Sequence, residues 1–487
     1  MKGIQFFLLL TVTVLVGGCS GKVQNDKLTN RAEKPNFLFI FSDDQRYNAI
    51  HALGDQTLQT PNLDRLVRGG VTFTHAFNMG AWHGAVCVAS RAMMLTGLTV
   101  WEAKNAEAHF DSMAVQKKFW PQQLMEAGYE TFMAGKWHVK VKTSDVFHHV
   151  VNVRPGMPKD SPEGYNRPQT KNDTLWQPWN TTYEGYWAGG KHWSEVLADD
   201  AIGFLKQAAT IEKPFFMYLA FNAPHDPRQS PKEYVDKYPL EDIALPESYL
   251  DIYPYKDSIG CSPQLRDERL APFPRTPHSV KTHIQEYYSI ISHMDHQIGR
   301  ILQALEESGK MDNTYVIFTS DHGLAAGNHG LLGKQNMFDH SVRVPLIIMG
   351  PGVEKGTKLS QQVYLQDIMP TTYELAGIKK NNQVRFNSLI PYVTGQLSES
   401  VYPSIYGCYM DLQRMVRTQE HKLIVYPTAR KVLLFDLKKD PYEKTDLSAV
   451  PEYKEVLKSL IVELQRQQKV LNDPLDLTPF FREISAL

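Results

Sequence analysis

From position 36 onward the chain alternates short, near-continuous apolar runs with amphipathic stretches, and this alternation constrains the fold more than any other feature. The runs at 36–41 (NFLFIF), 130–134, 214–221, 314–319 and 344–349 read as strands buried on both faces. Helical patterns lie between them at 61–67, 121–126, 194–206 and 280–307. The last places Ile284, Tyr287, Ile291, Met294, Ile298, Ile301 and Leu305 three or four residues apart on one face. Such an order predicts an α/β fold, a mostly parallel sheet covered by helices on both sides. Ligands bind such sheets beyond the carboxyl ends of the strands. The residues that follow each run therefore carry the functional information.

The flanks are different. Residues 1–19 begin with a basic Met-Lys-Gly, continue in an apolar run to Val16 and end in VGGC, which reads as an export signal cut before Cys19. That run falls short of the roughly 20 residues needed to span a bilayer. Residues 20–34 (SGKVQNDKLTNRAEK) are polar and aperiodic, as a tether would be. After a main region at 35–378, residues 379–487 carry short strand patterns at 404–410, 413–417, 421–426 and 432–435 and a helix near 453–468. These predict a small antiparallel sheet with a closing helix. With 52 basic against 53 acidic residues, the chain has no overall charge to recruit nucleic acid.

Two strand ends carry carboxylates. Ser42-Asp43-Asp44-Gln45 follows the first run, and Ser320-Asp321-His322-Gly323 follows the run at 314–319. Adjacent carboxylates repel unless a cation neutralises them, so this set suits a hard divalent ion. Residues 87–97 (CVASRAMMLTG) open a helical stretch with a cysteine near a basic residue, a candidate reactive thiol.

The pattern C-x-A-S-R followed by L-T-G resembles the signature of the type I sulfatases, with Ala89 where proline is frequent. The resemblance continues through G-K-W-H at 135–138, A-P-H at 223–225, D-H-G at 321–323, H-G at 329–330 with Lys334, and R-V-P at 343–345. Order and spacing agree from about 36 to 351.

This resemblance implies an alkaline-phosphatase-like fold and conversion of Cys87 to formylglycine by a sulfatase-maturating enzyme. One oxygen of the hydrated aldehyde would attack sulfur and the other would later expel sulfate. It implies one Ca²⁺ held by Asp43, Asp44, Asp321, His322 and residue 87, with His322 a softer donor than the asparagine of many relatives. Arg91 and Lys136 would bind the formylglycine and sulfate oxygens, and His138 would act as base. His225 and Lys334 would contact the sulfate, one of them protonating the leaving oxygen. The DDQ and D-H-G variants resemble the iduronate-2-sulfatase-like carbohydrate branch. VGGC resembles a bacterial lipobox, implying a lipid on Cys19 and a membrane-anchored protein outside the cytoplasm.

The implied substrate is therefore a sulfated glycan, a fragment of glycosaminoglycan, mucin or algal polysaccharide. Two other readings remain at this point, a phosphate or phosphonate ester hydrolase of the same superfamily and an inactive glycan-binding lipoprotein. Long irregular segments at 141–191 and 227–278 carry aromatics suited to stacking on sugars: Trp176, Trp179, Tyr183, Tyr186, Trp187, Tyr249, Tyr253 and Tyr255. His83, His192, Arg414 and Arg417 are further candidates for substrate contact, whereas Lys140 and Lys142 read as solvated. A Cys261–Cys408 disulfide is compatible with export.

Overall fold

The structure is a computed structural model that describes residues 33–485. Cys19, expected to lie in a lipobox, and most of the expected tether fall outside the described residues.

Eight strands run across the main sheet in the order Arg343–Val344, Val71–Phe77, Leu346–Met349, Thr314–Ser320, Asn36–Ser42, Phe215–Ala220, Glu130–Lys136 and His149–Arg154. A ninth, Thr357–Tyr364, pairs with Val71–Phe77. The five strands from Thr314–Ser320 to His149–Arg154 are all parallel, while Leu346–Met349 is antiparallel to both its neighbours.

Alternate residues of the central strand serve opposite layers. Phe37, Phe39 and Phe41 enter a core with Met94, Trp120 and Tyr218, whereas Leu38 and Ile40 pack with Leu205, Met294 and Ile298. Both faces are covered, so the strand has no polar face for water, which is why its sequence reads as an unbroken apolar run. Helix Pro277–Glu307 continues the periodic stripe seen in the sequence and packs against helices Pro61–Gly69 and Trp193–Ala209.

The sequence pattern missed Val71–Phe77 and Thr357–Tyr364. VTFTHAF and TKLSQQVY mix polar and apolar residues because both strands lie toward one side of the sheet, where burial is incomplete.

The C-terminal sheet runs Lys431–Asp436, His421–Tyr426, Gln413–Arg417 and Ile405–Tyr409, and helix Lys454–Leu471 contacts its Gln413–Arg417 and His421–Tyr426 strands. Its fifth strand, Gly80–Ala81, comes from the main region and pairs in parallel with Ile405–Tyr409. Gly80 has φ +86°, and a Cβ there would stand 1.8 Å from the carbonyl oxygen of Cys408, so glycine is required. This stitch joins the second sheet to the segment that leads into Cys87.

Cys261 and Cys408 are buried free thiols, which settles the pairing that the sequence left open. Cys261 Sγ lies 3.3 Å from the Gln335 carbonyl oxygen and Cys408 Sγ 3.6 Å from that of Met79. No helix among the described residues is long and apolar enough to cross a membrane.

Candidate active site

Strands Asn36–Ser42 and Thr314–Ser320 pair in register from end to end, with Ser42 opposite Ser320, so Asp43 and Asp321 leave the sheet side by side. Glu130–Lys136 delivers Lys136 and, two residues on, His138. The loop after Phe215–Ala220 delivers His225. Above them helix Val86–Thr96 carries Cys87 in its first turn and Arg91 one turn later, a spacing that puts both side chains on one face. Asp44 and His138 both adopt the left-handed backbone region, at φ 70° and 59°. That conformation is uncommon for residues other than glycine and is typical of held functional loops. Tyr287 of the long helix helps hold Asp44: its hydroxyl donates to the Asp44 carbonyl at 2.8 Å and accepts from the Arg46 amide at 3.1 Å.

Donor atoms of Asp43, Cys87, Asp321 and His322 lie within 4.8 Å of one another, and all four residues are buried. Asp43 Oδ1 and His322 Nε2 have no hydrogen-bond partner, which is costly for buried polar atoms and fits a cation between them. Asp44 stands beside this group. Its carboxylate accepts from Lys334 at 2.8 and 2.9 Å and lies 3.2 Å from His322 Nε2, while its amide donates to Asp321 Oδ1 at 3.2 Å. Asp44 also forms a second donor cluster with His225 and Asp226.

Three carboxylates face three cations. Lys136 pairs with Asp43, Arg91 Nε with Asp321 at 3.0 Å, and Lys334 with Asp44. Burial opposes ionisation of Asp321, but Arg91, His322 and Lys136 outweigh it and hold the carboxyl well below its ordinary range. At Asp44 burial wins over Lys334 and raises the carboxyl. Burial, reinforced by Lys136 and Arg91, lowers His138 to about 3, so at neutral pH its ring is an unprotonated acceptor. Its Nδ1 lies 3.2 Å from Cys87 Sγ.

A cavity of about 210 Å³ opens onto this set. Cys87, His138, His225 and Lys334 line it together with Met157, Leu265, Arg266, Asp267 and Gln335. Sequence reasoning missed the last five. They come from irregular segments or follow a recognised motif directly, and no periodicity marks them.

The aromatics expected to stack on sugar lie elsewhere. Trp176 and Tyr183 stack on each other with centroids 5.0 Å apart, Tyr186 stacks on His192, and Tyr253 hydrogen-bonds Tyr426. Trp179 lies under Lys232, Trp187 meets His192 edge-on, Tyr249 donates to the Arg275 carbonyl and Tyr255 packs on Tyr253. His192 caps the helix Trp193–Ala209, and His83 accepts from the Ala85 amide of its own loop. Arg414 is buried against Asp473, and Arg417 against Asp339 and Gln362. For the aromatics, His192, Arg414 and Arg417 these are structural roles that correct the corresponding expectations, whereas half-buried His83 directly precedes Gly84 and Ala85, which line the pocket. Lys140 and Lys142 are exposed, as anticipated.

A buried thiol beside a neutral histidine, lysines near it and a hard donor set at the carboxyl end of a parallel sheet suit a hydrolase of anionic esters. The sulfatase family profile matches residues 35–378, and the profile of the N-sulphoglucosamine sulphohydrolase C-terminal region matches 327–470. The chain is 29% identical to an arylsulfatase of Clostridium perfringens, over 90% of this chain and 96% of that one. It is 26% identical to an N-acetylglucosamine-6-O-sulfatase of Bacteroides thetaiotaomicron, over 97% and 92%. A structure solved in complex with its substrate D-glucosamine-2-N,6-O-disulfate superposes with a TM-score of 0.70 at 23% identity, covering 91% of this chain and 99% of that one. A phosphonate monoester hydrolase from Silicibacter pomeroyi shares the fold, with TM-score 0.69 at 19% identity over 90% and 95%. The chain belongs to the sulfatase family and is a sulfuric ester hydrolase.

Proposed function

We propose that this sulfatase removes a sulfate ester from a carbohydrate, with formylglycine at position 87 as nucleophile and Ca²⁺ as the divalent cation. The observation that carries the reading is the convergence of Cys87, His138, Lys334 and His225 on one small cavity, beside the Asp43–Asp321–His322 donor set. Relatives described as N-acetylglucosamine-6-O-sulfatase and ulvan-active sulfatase support a glycan substrate. The cation would be held by Asp43, Asp321, His322 and residue 87, with Asp44 beside them, and would supply positive charge against the sulfate oxygens. Calcium suits the carboxylate-rich part of this set.

The roles of the side chains follow from their surroundings. Lys136 pairs with Asp43 and Lys334 with Asp44; a cation held by the carboxylates would neutralise them, and the two ammonium groups beside them would meet sulfate oxygens. Arg91 stays with Asp321 and keeps that carboxylate oriented, while its Nη1 donates to the Lys136 carbonyl at 3.2 Å. His138, unprotonated and 3.2 Å from Sγ, takes a proton from the group at 87. His225 donates Nδ1–H to the Asp226 carbonyl at 2.8 Å, which leaves Nε2 an acceptor toward the pocket, so the ammonium of Lys334, which lines the same cavity, is the proton source for the leaving oxygen.

A phosphonate hydrolase shares the fold, so the fold does not separate the two reactions; the family match and the sulfatase relatives favour sulfate. Peptide mass spectrometry should show the mass decrease from cysteine to formylglycine at position 87. Cys87→Ala should abolish sulfate release while keeping the wild-type melting temperature. Turnover by that variant at the wild-type rate would rule out the nucleophile assignment.

The export signal and Cys19 support a lipoprotein displayed outside the cytoplasm, matured by a sulfatase-maturating enzyme. Cys19→Ala should move the protein from the membrane fraction to the soluble one, since the acyl chains supply the anchor. Retention in the membrane fraction would rule out lipidation at Cys19.

A further inference from the structure

Lys334 comes from a loop, 331–335, with no helix or strand of its own, and the short 3₁₀ helix Arg266–Leu270 grips that loop at several points. The Glu268 carboxylate accepts from the Leu332 amide at 3.1 Å and from the Gly333 amide at 2.8 Å, and is itself held by Arg275. Asp267 Oδ2 accepts from Gln335 Nε2 at 2.7 Å, and Gln335 Oε1 accepts from the Lys334 amide at 3.0 Å. A Cβ on Gly333 would stand 2.9 Å from the Asp267 Cβ and 3.0 Å from Glu268 Oε1, so glycine is what lets the two segments approach. Arg266 grips the loop that carries His225. Its Nη1 donates to Asp226 Oδ2 at 2.6 Å. Its Nη2 donates to Asp267 Oδ1 at 2.9 Å, to Asp226 Oδ1 at 3.3 Å and toward His225 Nε2 at 3.4 Å.

We propose that Arg266, Asp267 and Glu268 are positioning residues of this hydrolase: Asp267 and Glu268 set the Lys334 ammonium at the cavity, and Arg266 fixes His225 in the same wall. The proposal rests on Lys334 as the proton source for the leaving oxygen and names what aims it. Two carboxylates neighbour Lys334 Nζ, Asp44 at 2.8 and 2.9 Å and Asp267 at 3.8 Å. Of the two, Asp267 lines the cavity and Asp44 does not. Asp267 therefore draws the ammonium toward the bound ester, whereas Asp44 draws it toward the donor set. Burial opposes the charge on Asp267, but Lys334 and Arg266 outweigh it and hold the carboxyl below its ordinary range. Each oxygen of that carboxylate is held, one by Arg266 and the other by Gln335, so it keeps a single orientation. A lysine on its flexible stem can present its ammonium in many geometries, and a donor misplaced by about 1 Å can lose roughly 100-fold in rate. The three residues stand in the irregular segment 227–278, apart from every motif that marks the site.

The test uses the full-length matured enzyme and whichever of a monosulfated N-acetylhexosamine or phenyl sulfate it turns over faster. Asp267→Asn keeps the side-chain shape and removes the charge, and Gln335→Ala removes the link between Asp267 and the Lys334 loop. Each should lower kcat by about 10- to 100-fold while KM stays within about threefold and the melting temperature within a few degrees. Lys334→Met should lower kcat at least as far. Should Asp267→Asn fail to fold, Gln335→Ala decides. With Lys334→Met impaired, three results would each overturn the positioning role: kcat retained in both variants, a loss carried by KM alone, or a loss of kcat that only follows the melting temperature. Wild-type kcat in Lys334→Met would instead remove Lys334 as the proton source, and this inference with it.

Discussion

Asp321 shows how one side chain can be committed three ways. It accepts from Arg91 Nε at 3.0 Å through one oxygen and from the Asp44 amide at 3.2 Å through the other, and it stands in the cluster with Asp43 and His322. Asp321→Asn keeps the shape and removes the charge. The variant should bind the divalent cation at least tenfold more weakly and retain less of it through purification, read by elemental analysis. Full occupancy in the variant would take Asp321 off the ligand set. The carboxylate pairs were legible in the sequence because adjacent acidic residues after a buried strand need an explanation. The commitment of each one to Arg91, Lys136 or Lys334 was not. These cations stand 93 to 290 positions away from the carboxylates they meet, and only strand register brings them together.

Among the elements, the segment after strand His149–Arg154 has a positioning role that no motif announced. A Cβ on Gly156 would stand 2.2 Å from the ring of His138, so the backbone of this segment lies directly against the imidazole. With Cys87 Sγ 3.2 Å from Nδ1, the ring is held on two sides. Gly156→Ala should displace it and lower kcat by roughly 10- to 100-fold, with the melting temperature shifted by only a few degrees. Unchanged kcat would show that the segment does not position His138. The helices and buried strands were readable because periodicity is a local property of the chain. Gly156 was not, because its significance is an approach between two segments that the sequence keeps apart.

Across the whole molecule, the two sheets meet near the N-terminal end of helix Ile368–Leu375, where Asp367 is buried. Its carboxyl accepts from the Tyr364 amide at 3.0 Å, the Asn387 amide at 2.8 Å and the Tyr402 hydroxyl at 2.6 Å. Burial raises it to about 7, well above the ordinary aspartate range. The folded protein therefore binds a proton here that the unfolded chain has lost. The stabilisation is fully present below the unfolded value and is lost as pH rises through about 7. Melting temperature should fall between pH 5 and 8 by the equivalent of roughly 1–3 kcal/mol, and Asp367→Asn should flatten the slope. An identical pH profile in the variant would place the titration elsewhere.

The sequence by itself determined the layered α/β class, the parallel core of the sheet, the C-terminal antiparallel sheet and the strand ends where chemistry gathers. Those follow from periodicity and from residue types that physical chemistry rarely leaves adjacent without cause. Motif order likewise pointed to the sulfatase family before any geometry was known. Tertiary structure alone decided that the loop aromatics pack on one another rather than in the pocket, that Cys261 and Cys408 stay apart as thiols, and that Arg414 and Arg417 serve buried carboxylates. It alone brought Met157, Leu265, Arg266, Asp267 and Gln335 around Cys87. The physical reason is the same in each case. An aromatic, a thiol or a guanidinium has several stable fates, and which one it takes depends on neighbours supplied by distant segments once the sheet has closed its register.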